Sequence, residues 1–202
     1  MKKSKVLLLM LCTAALSVAA AFGTLAYLTD SQAVTNTFTV GQVQITLDEA
    51  DVDDTDKDGN TTERDTANVY HLLPGQTYTK DPTVHVRADS ESCWVFVKVD
   101  NGISAIECDD ADYVSVAKQV ENNGWTSLEG VTNVFYKAWE KGTADRDLEV
   151  FESFKVDGSV NNTGIADHAN SQIVVTAYAI QAAGFDTASA AWTAYTNQHP
   201  NP

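Results

Sequence analysis

Apolar and polar residues alternate along much of the chain, which is the pattern of half-buried β-strands. The alternation begins over residues 33–40 and continues after Gly41 over residues 43–47. Further segments are rich in β-branched and aromatic residues, at 83–86, 133–139, 148–156 and 172–182. Turn residues separate the segments, as at Pro74 and Gly75. The pattern predicts about eight or nine strands.

The segment 93–101, Cys-Trp-Val-Phe-Val-Lys-Val-Asp-Asn, is the strongest strand candidate. Both of its faces are largely apolar, whereas a strand with one solvated face would alternate. We therefore expect a central strand that is covered on both sides. Residues 187–195 are rich in alanine and follow Asp186, a candidate N-cap, so a short helix is predicted there.

Many short strands with turns about every dozen residues are typical of an antiparallel β-sandwich. The predicted fold class is all-β, a jelly-roll-like β-sandwich with a short C-terminal helix, preceded by a signal peptide. Residues 49–66 are almost wholly polar and are predicted to form a long loop. The sequence shows neither an internal repeat nor a linker, so residues 27–202 are expected to form one domain.

Residues 1–26 have the features of an export signal. A basic start with Lys2, Lys3 and Lys5 precedes an apolar run that is diluted by Ala, Ser and Thr. The run over 6–22 is short for a bilayer span, which needs about 20 residues. Small residues follow it, and cleavage is predicted between Ala26 and Tyr27. An uncleaved membrane anchor is the alternative.

The charge balance of the chain is strongly acidic. The 202 residues include 28 acidic and 13 basic side chains, and the net charge is −15. Such a chain repels nucleic acid and anionic membrane surfaces, and it attracts divalent cations or basic partners. A nucleic-acid partner is therefore not expected.

Cleavage of the signal peptide removes Cys12 and leaves Cys93 and Cys108. Export permits a disulfide, and a bridge would close a loop of about 15 residues and contribute about 3 kcal/mol. Cys93 lies on an apolar face of the predicted central strand, whereas Cys108 is flanked by Glu107 and Asp109. These surroundings favour two free thiols, one buried and one exposed, over a disulfide.

A stretch of the polar loop has the spacing of a metal site. A twelve-residue calcium loop takes ligands from positions 1, 3, 5, 7 and 12 and needs glycine at position 6. Counted from its first residue, the ligand positions hold Asp54, Asp56, Asp58, Asn60 and Asp65, with Gly59 at the turn. The last ligand is Asp rather than the longer Glu, and the predicted flanks are not helices. A weak calcium site and a solvated acidic loop are the two alternatives, and no other cofactor is expected.

Signatures of catalysis are not found in the sequence. Catalytic zinc typically uses His-Glu-x-x-His on a helix, but the four histidines are scattered, at His71, His85, His168 and His199. The chain has no Gly-x-Ser-x-Gly motif, and neither mature cysteine has a protease signature. A non-enzymatic role is expected.

Several motifs of the chain occur together in one group of secreted bacterial proteins. The N-terminal motifs are Ala26-Tyr27, the turn Thr29-Asp30-Ser31, the step Asn36-Thr37-Phe38, and Gly41. The later ones are the Pro-Gly turn with its following lysine in 72–84, the strand 94–101, the run 175–182 and Ala-Ala-Trp at 190–192. With these motifs the sequence resembles the TasA and camelysin family, whose signal peptides are cut by a SipW-type signal peptidase.

The resemblance implies a secreted structural subunit of a biofilm matrix or surface fibre. In such proteins the mature N-terminal segment is a donor strand that completes a sheet of the next subunit. Here that segment is 27–40, with Val34, Asn36, Phe38 and Val40 on one face. Pairing of the same strand within its own subunit is the alternative. The implied partners are further copies of the chain, a second matrix or surface protein, and the signal peptidase during export. Two alternatives stay open: a camelysin-like cell-surface metalloendopeptidase, and a monomeric calcium-stabilised adhesion module.

Overall fold

The secondary structure is taken from a computed structural model that describes residues 42–53, 64–142 and 144–199. The strands in these residues are β1 (Ile45–Ala50), β2 (Arg64–Asp65), β3 (Thr77–Thr79), β4 (Thr83–Val86), β5 (Cys93–Asn101), β6 (Thr126–Ser127), β7 (Val134–Trp139), β8 (Arg146–Glu149), β9 (Ser153–Lys155) and β10 (Ile173–Gln181). The helices are α1 (Val116–Asn122), α2 (Asn162–Asp167) and α3 (Ala188–Gln198). Within the described residues, no helix has the length and apolar character needed to cross a membrane.

The strands form three antiparallel sheets. One four-stranded sheet has the order β2-β1-β4-β8, the other has the order β10-β5-β7-β6, and β3 pairs with β9. The longest ladder joins β10 to β5, from Ile173 opposite Asn101 to Gln181 opposite Cys93. The prediction of a mainly-β, antiparallel fold with a short C-terminal helix is confirmed.

The larger hydrophobic core lies between the two four-stranded sheets. Val84 and Val86 of β4 enter it from one sheet, and Val95, Val97 and Val99 of β5 enter it from the other. None of these five side chains is more than 5% exposed. Burial of this apolar surface is the main stabilising contribution to the fold.

The outer face of β5 is covered by helix α3. Phe96 is fully buried, and the ring centroid of Trp192 lies 5.0 Å from that of Phe96. The expectation of a central strand covered on both faces is therefore confirmed. The predicted cap of the helix was wrong by one residue, because Thr187 rather than Asp186 accepts the Ala190 N–H.

The single strand predicted over 148–156 is two strands, β8 and β9. Val150 and Phe151 are consecutive in the chain, and both are fully buried in the same larger core. A continuous strand cannot direct two successive side chains to the same side, so the backbone bends between β8 and β9.

Two further expectations are corrected. The predicted polar loop 49–66 contains strand at both ends, because β1 continues to Ala50 and Arg64–Asp65 pairs with Glu49 and Ala50. Helices α1 and α2 were not predicted, since the sequence indicated helix only over 187–195. In α1 the apolar signal is limited to Val116 and Val120, which are four positions apart and both buried.

Candidate functional site

Strands β1 and β10 belong to different sheets and enclose an open cleft, here called the seam. The seam runs along residues 43–49 on the β1 side and 172–179 on the β10 side. A cavity of about 720 Å³ occupies one end, between Leu47 and Val175. A second cavity of about 600 Å³ occupies the other end, between Ile45 and Ala177. The two cavities follow the same pair of strands, so the seam has the elongated shape of an extended peptide.

Each side of the seam carries a row of apolar side chains, and polar side chains join them at the wider end. The β1 side contributes Val43, Ile45 and Leu47, and β10 contributes a matching row of Ile173, Val175, Ala177 and Ala179. All seven pack against the larger core, yet they are only partly buried, whereas their neighbours Val84 and Val97 are fully buried. The seam is therefore the place where the core is incompletely covered, and further burial there would be favourable.

The strand edges along the seam have spare hydrogen-bonding capacity. All nine residues of β10 pair with β5, and within the described part of the chain no ladder is formed on the other edge of β10. Strand β1 pairs with β4 over Ile45 to Asp48, and β2 covers its other edge only at Glu49 and Ala50. Open strand edges of this kind are templates for pairing with another strand.

A buried ion pair lies at the wider end of the seam. Lys80 donates to Glu49 Oε2, and these two residues are 9% and 5% exposed. Asn68 Nδ2 donates to the other oxygen, Glu49 Oε1, at 2.9 Å. The Lys80 Nζ also lies 5.9 Å from the ring centroid of Tyr70. Burial, followed by the negative charge of Glu49, raises the pKa of Tyr70, which therefore stays protonated.

A charge network on the outer face of the sheet β2-β1-β4-β8 holds β1 in place. Arg64 donates to Asp48 and, at 2.9 Å, to Asp81. His85 lies between two carboxylates, with Nε2 2.9 Å from Asp48 and Nδ1 2.5 Å from Asp147. Burial opposes ionisation of Asp48, but the hydrogen bonds from Arg64 and His85 outweigh it and lower the Asp48 pKa. The network ties β2, β1, β4 and β8 together within one subunit.

Most of the predicted calcium loop lies outside the described residues. This applies to Asp54, Asp56, Asp58 and Asn60. The fifth predicted ligand, Asp65, is the last residue of β2 and pairs with Glu49 of β1. In the described segments, no three His, Cys, Asp or Glu residues are grouped in a way that could hold a metal ion. The calcium loop stays a prediction.

The predicted cleavage and donor residues also lie outside the described residues. They are Ala26 and Tyr27 at the cleavage position, and Val34, Asn36, Phe38 and Val40 in the donor strand. The described chain begins at residue 42, directly before the β1 side of the seam.

The two cysteines are both free and both buried. Burial raises the pKa of the Cys93 thiol to about 11. The expectation that Cys108 is exposed was wrong, because the backbone around it joins the sheet and its N–H donates to Lys155 O at 2.8 Å. Its thiol donates to Asp110 at 3.3 Å, and burial and then that hydrogen bond raise its pKa. Both thiols are therefore in the unreactive, protonated form.

The sequence did not point to the seam or to the Glu49, Lys80 and Asn68 group. The three residues are far apart in the chain, and each is polar in a polar neighbourhood. One signal was available: Lys80 lies in phase with Tyr78, Pro82 and Val84, which are inward positions of the alternating segment. A lysine at an inward position of a strand needs a buried partner.

Comparison with known proteins does not assign the chain to a family. No family model, curated protein or solved structure matches it.

Proposed function

We propose that the protein is a secreted, non-enzymatic subunit of an extracellular matrix or surface fibre, and that it polymerises by strand donation. The mature N-terminal segment 27–40 of one copy adds to the seam of the next copy. The observation that carries the proposal is the seam itself, which combines incompletely buried apolar walls with open strand edges. The N-terminal motifs, which resemble those of the TasA and camelysin family, support it independently.

The added strand pairs with the open edge of β10 and extends the sheet β10-β5-β7-β6. Main-chain hydrogen bonds along the edge provide affinity, and alternate side chains that enter the cleft set the register. The segment 33–40 has the required alternation, with Val34, Phe38 and Val40 on one face. These apolar side chains would cover Ile45 and Val175, which are apolar and only partly buried.

Strand donation between copies also explains how a fibre would grow. The donor and the seam are different surfaces of the chain, so the contact is heterologous and does not close on itself. We propose that the subunit has a jelly-roll fold. Two four-stranded antiparallel sheets around a shared core support that arrangement.

Electron microscopy of the secreted protein, with its N-terminus determined, is the direct test. We expect fibres from protein that begins at Tyr27 and monomers from protein that lacks residues 27–40. A monomer that persists at high concentration with the N-terminal segment intact would contradict the proposal.

A peptide complementation experiment tests the seam separately. A synthetic peptide of residues 27–40 should bind the variant that lacks this segment, and it should raise the thermal midpoint of that variant. A peptide in which Val34, Phe38 and Val40 are replaced by Lys has the same backbone but cannot fill the apolar cleft, and it should not bind.

A further inference from the structure

Three side chains at the wide end of the seam have the arrangement of a self-crosslinking site. Glu49 lies between Lys80 and Asn68 and bonds each of them through a different carboxylate oxygen. The Lys80 amine and the Asn68 side-chain amide thus each contact one oxygen of the same carboxyl group. We propose that Lys80 and Asn68 become joined by an isopeptide bond, with Glu49 as the catalytic residue that moves the protons.

The amide of Asn68 is oriented and polarised for attack. Its Oδ1 accepts the N–H of Val52 at 2.8 Å, which stabilises negative charge on that oxygen. Its Nδ2 donates to Glu49 Oε1 and to Ala50 O, each at 2.9 Å. The nitrogen that must leave therefore touches the carboxyl group that can protonate it.

Lys80 is buried beside two aromatic rings. Lys80 is 9% exposed, and its Nζ faces the ring of Tyr70. The Tyr70 ring packs edge-on against the ring of Phe154, which is 2% exposed. In the proposed reaction, Glu49 accepts a proton from the Lys80 ammonium through the hydrogen bond that joins them. The resulting amine is a nucleophile, and Glu49 holds it on the same carboxyl group as the Asn68 side-chain amide.

The reaction balances without an oxidant, a metal or a further reactant. Lys80 Nζ attacks Asn68 Cγ, a new Nζ–Cγ bond forms, and the Cγ–Nδ2 bond breaks. Glu49 takes one proton from the Lys80 ammonium and passes it to Nδ2, which leaves as ammonia, and the second proton that Nζ loses goes to Glu49. The product is a covalent link between the segment after β2 and the residue after β3, and its mass is lower by one ammonia, about 17 Da.

Peptide mapping of the secreted wild-type chain tests the proposal directly. The chain has no Lys or Arg between Arg64 and Lys80, and the next basic residue after Lys80 is Arg87. An unmodified chain therefore yields tryptic peptides 65–80 and 81–87. The crosslinked chain yields one peptide, 65–87, which is about 17 Da lighter than its sequence because trypsin cannot cut at an acylated lysine.

Acetylation of free lysines distinguishes the isopeptide from other products that have also lost ammonia. A cyclic imide formed by Asn68 alone has the same mass deficit, but it leaves the Lys80 amine free for acetylation after denaturation. We expect Lys80 to resist acetylation. Recovery of full-mass peptides 65–80 and 81–87, or acetylation of Lys80 in the lighter product, would overturn the proposal.

Variants test the role of each group. Asn68→Ala and Glu49→Gln should both restore cleavage at Lys80 and the full mass, and a crosslink that survives Glu49→Gln would disprove the role of Glu49. Lys141→Met is the matched control, because Lys141 also bonds a glutamate, Glu91, but at an exposed position with both side chains about half accessible. It should leave peptide 65–87 crosslinked. The wild-type map decides the existence of the bond even where a variant does not fold.

Discussion

The side-chain amide of Gln119 pairs with the backbone of Ser153 as a neighbouring strand would. Its Nε2 donates to Ser153 O at 3.0 Å, and its Oε1 accepts the Ser153 N–H at 3.3 Å. The same oxygen accepts the N–H of Glu152 at 3.2 Å. Helix α1 thereby satisfies the backbone at the bend between β8 and β9, where the strand ladder is interrupted.

Replacement of Gln119 by Leu should destabilise the protein. It leaves the backbone groups of residues 152 and 153 without these partners, which costs about 2 kcal/mol of unfolding free energy. Urea denaturation of the variant measures the loss. Lys118→Met is the control one residue earlier, because its exposed pair with Asp109 contributes little to stability. Equal effects from the two variants would show that the Gln119 bonds are not specific.

The stability of the protein should fall as the pH rises above the ordinary range of histidine. Burial by itself lowers the pKa of His85, but hydrogen bonds and the charges of Asp48 and Asp147 outweigh it, so its pKa is raised above 6.5. A raised folded-state pKa adds stability that is fully present below the unfolded pKa and is lost as the pH rises through the folded one. Denaturation curves between pH 5 and pH 9 measure this.

His85→Gln should flatten that part of the pH profile. The groups facing His85 are Asp48 on β1 and Asp147 on β8, and Arg64 on β2 bonds Asp48 from the other side. His71→Gln removes an exposed histidine and should keep the slope of the wild type. An unchanged slope in His85→Gln would show that the network does not titrate in this range.

A charge placed in the seam should block the proposed fibre growth without unfolding the subunit. Ala177→Lys puts a cation among the partly buried apolar walls, and a loss of about 1.4 kcal/mol or more in the contact raises the critical concentration about tenfold or more. Sedimentation of fibres at a series of concentrations measures it. Thr176→Lys is the matched control, because Thr176 is exposed and lies on the opposite face of β10. Similar behaviour of the two variants would argue against the seam as the acceptor.

Calcium should raise the thermal midpoint of the protein if the predicted loop binds it. At about ten times the dissociation constant, a single site adds about 1.4 kcal/mol to the unfolding free energy. Asp56→Ala should abolish the effect, whereas Asp112→Ala, in another acidic and exposed segment, should not. No response of the wild type at millimolar calcium would leave a solvated loop as the correct interpretation.

The alternation of side chains was sufficient to predict the class of the fold and its central strand. Residues 93–101 are apolar on both faces, and only a strand covered on both sides buries such a pattern. The bend at Val150 and Phe151 could not be predicted, because two successive apolar residues also fit a continuous strand that is covered on both faces. Only the structure shows that both side chains enter the same core. The strand Arg64–Asp65 could not be predicted from apolar residues, because both of its residues are charged. Its stability comes from the ion pairs of Arg64 with Asp48 and Asp81.

The sequence by itself determined the mainly-β class, the doubly covered β5 and the C-terminal helix, because these depend on local periodicity. It also provides the motifs at Ala26 and Tyr27 on which the proposed export and strand donation rest. The seam and the Glu49, Lys80 and Asn68 group were decided by tertiary structure alone. They depend on which sheet edges meet and on which distant polar residues are buried together. The local pattern marks Lys80 as an inward residue, but it does not show which partners Lys80 meets.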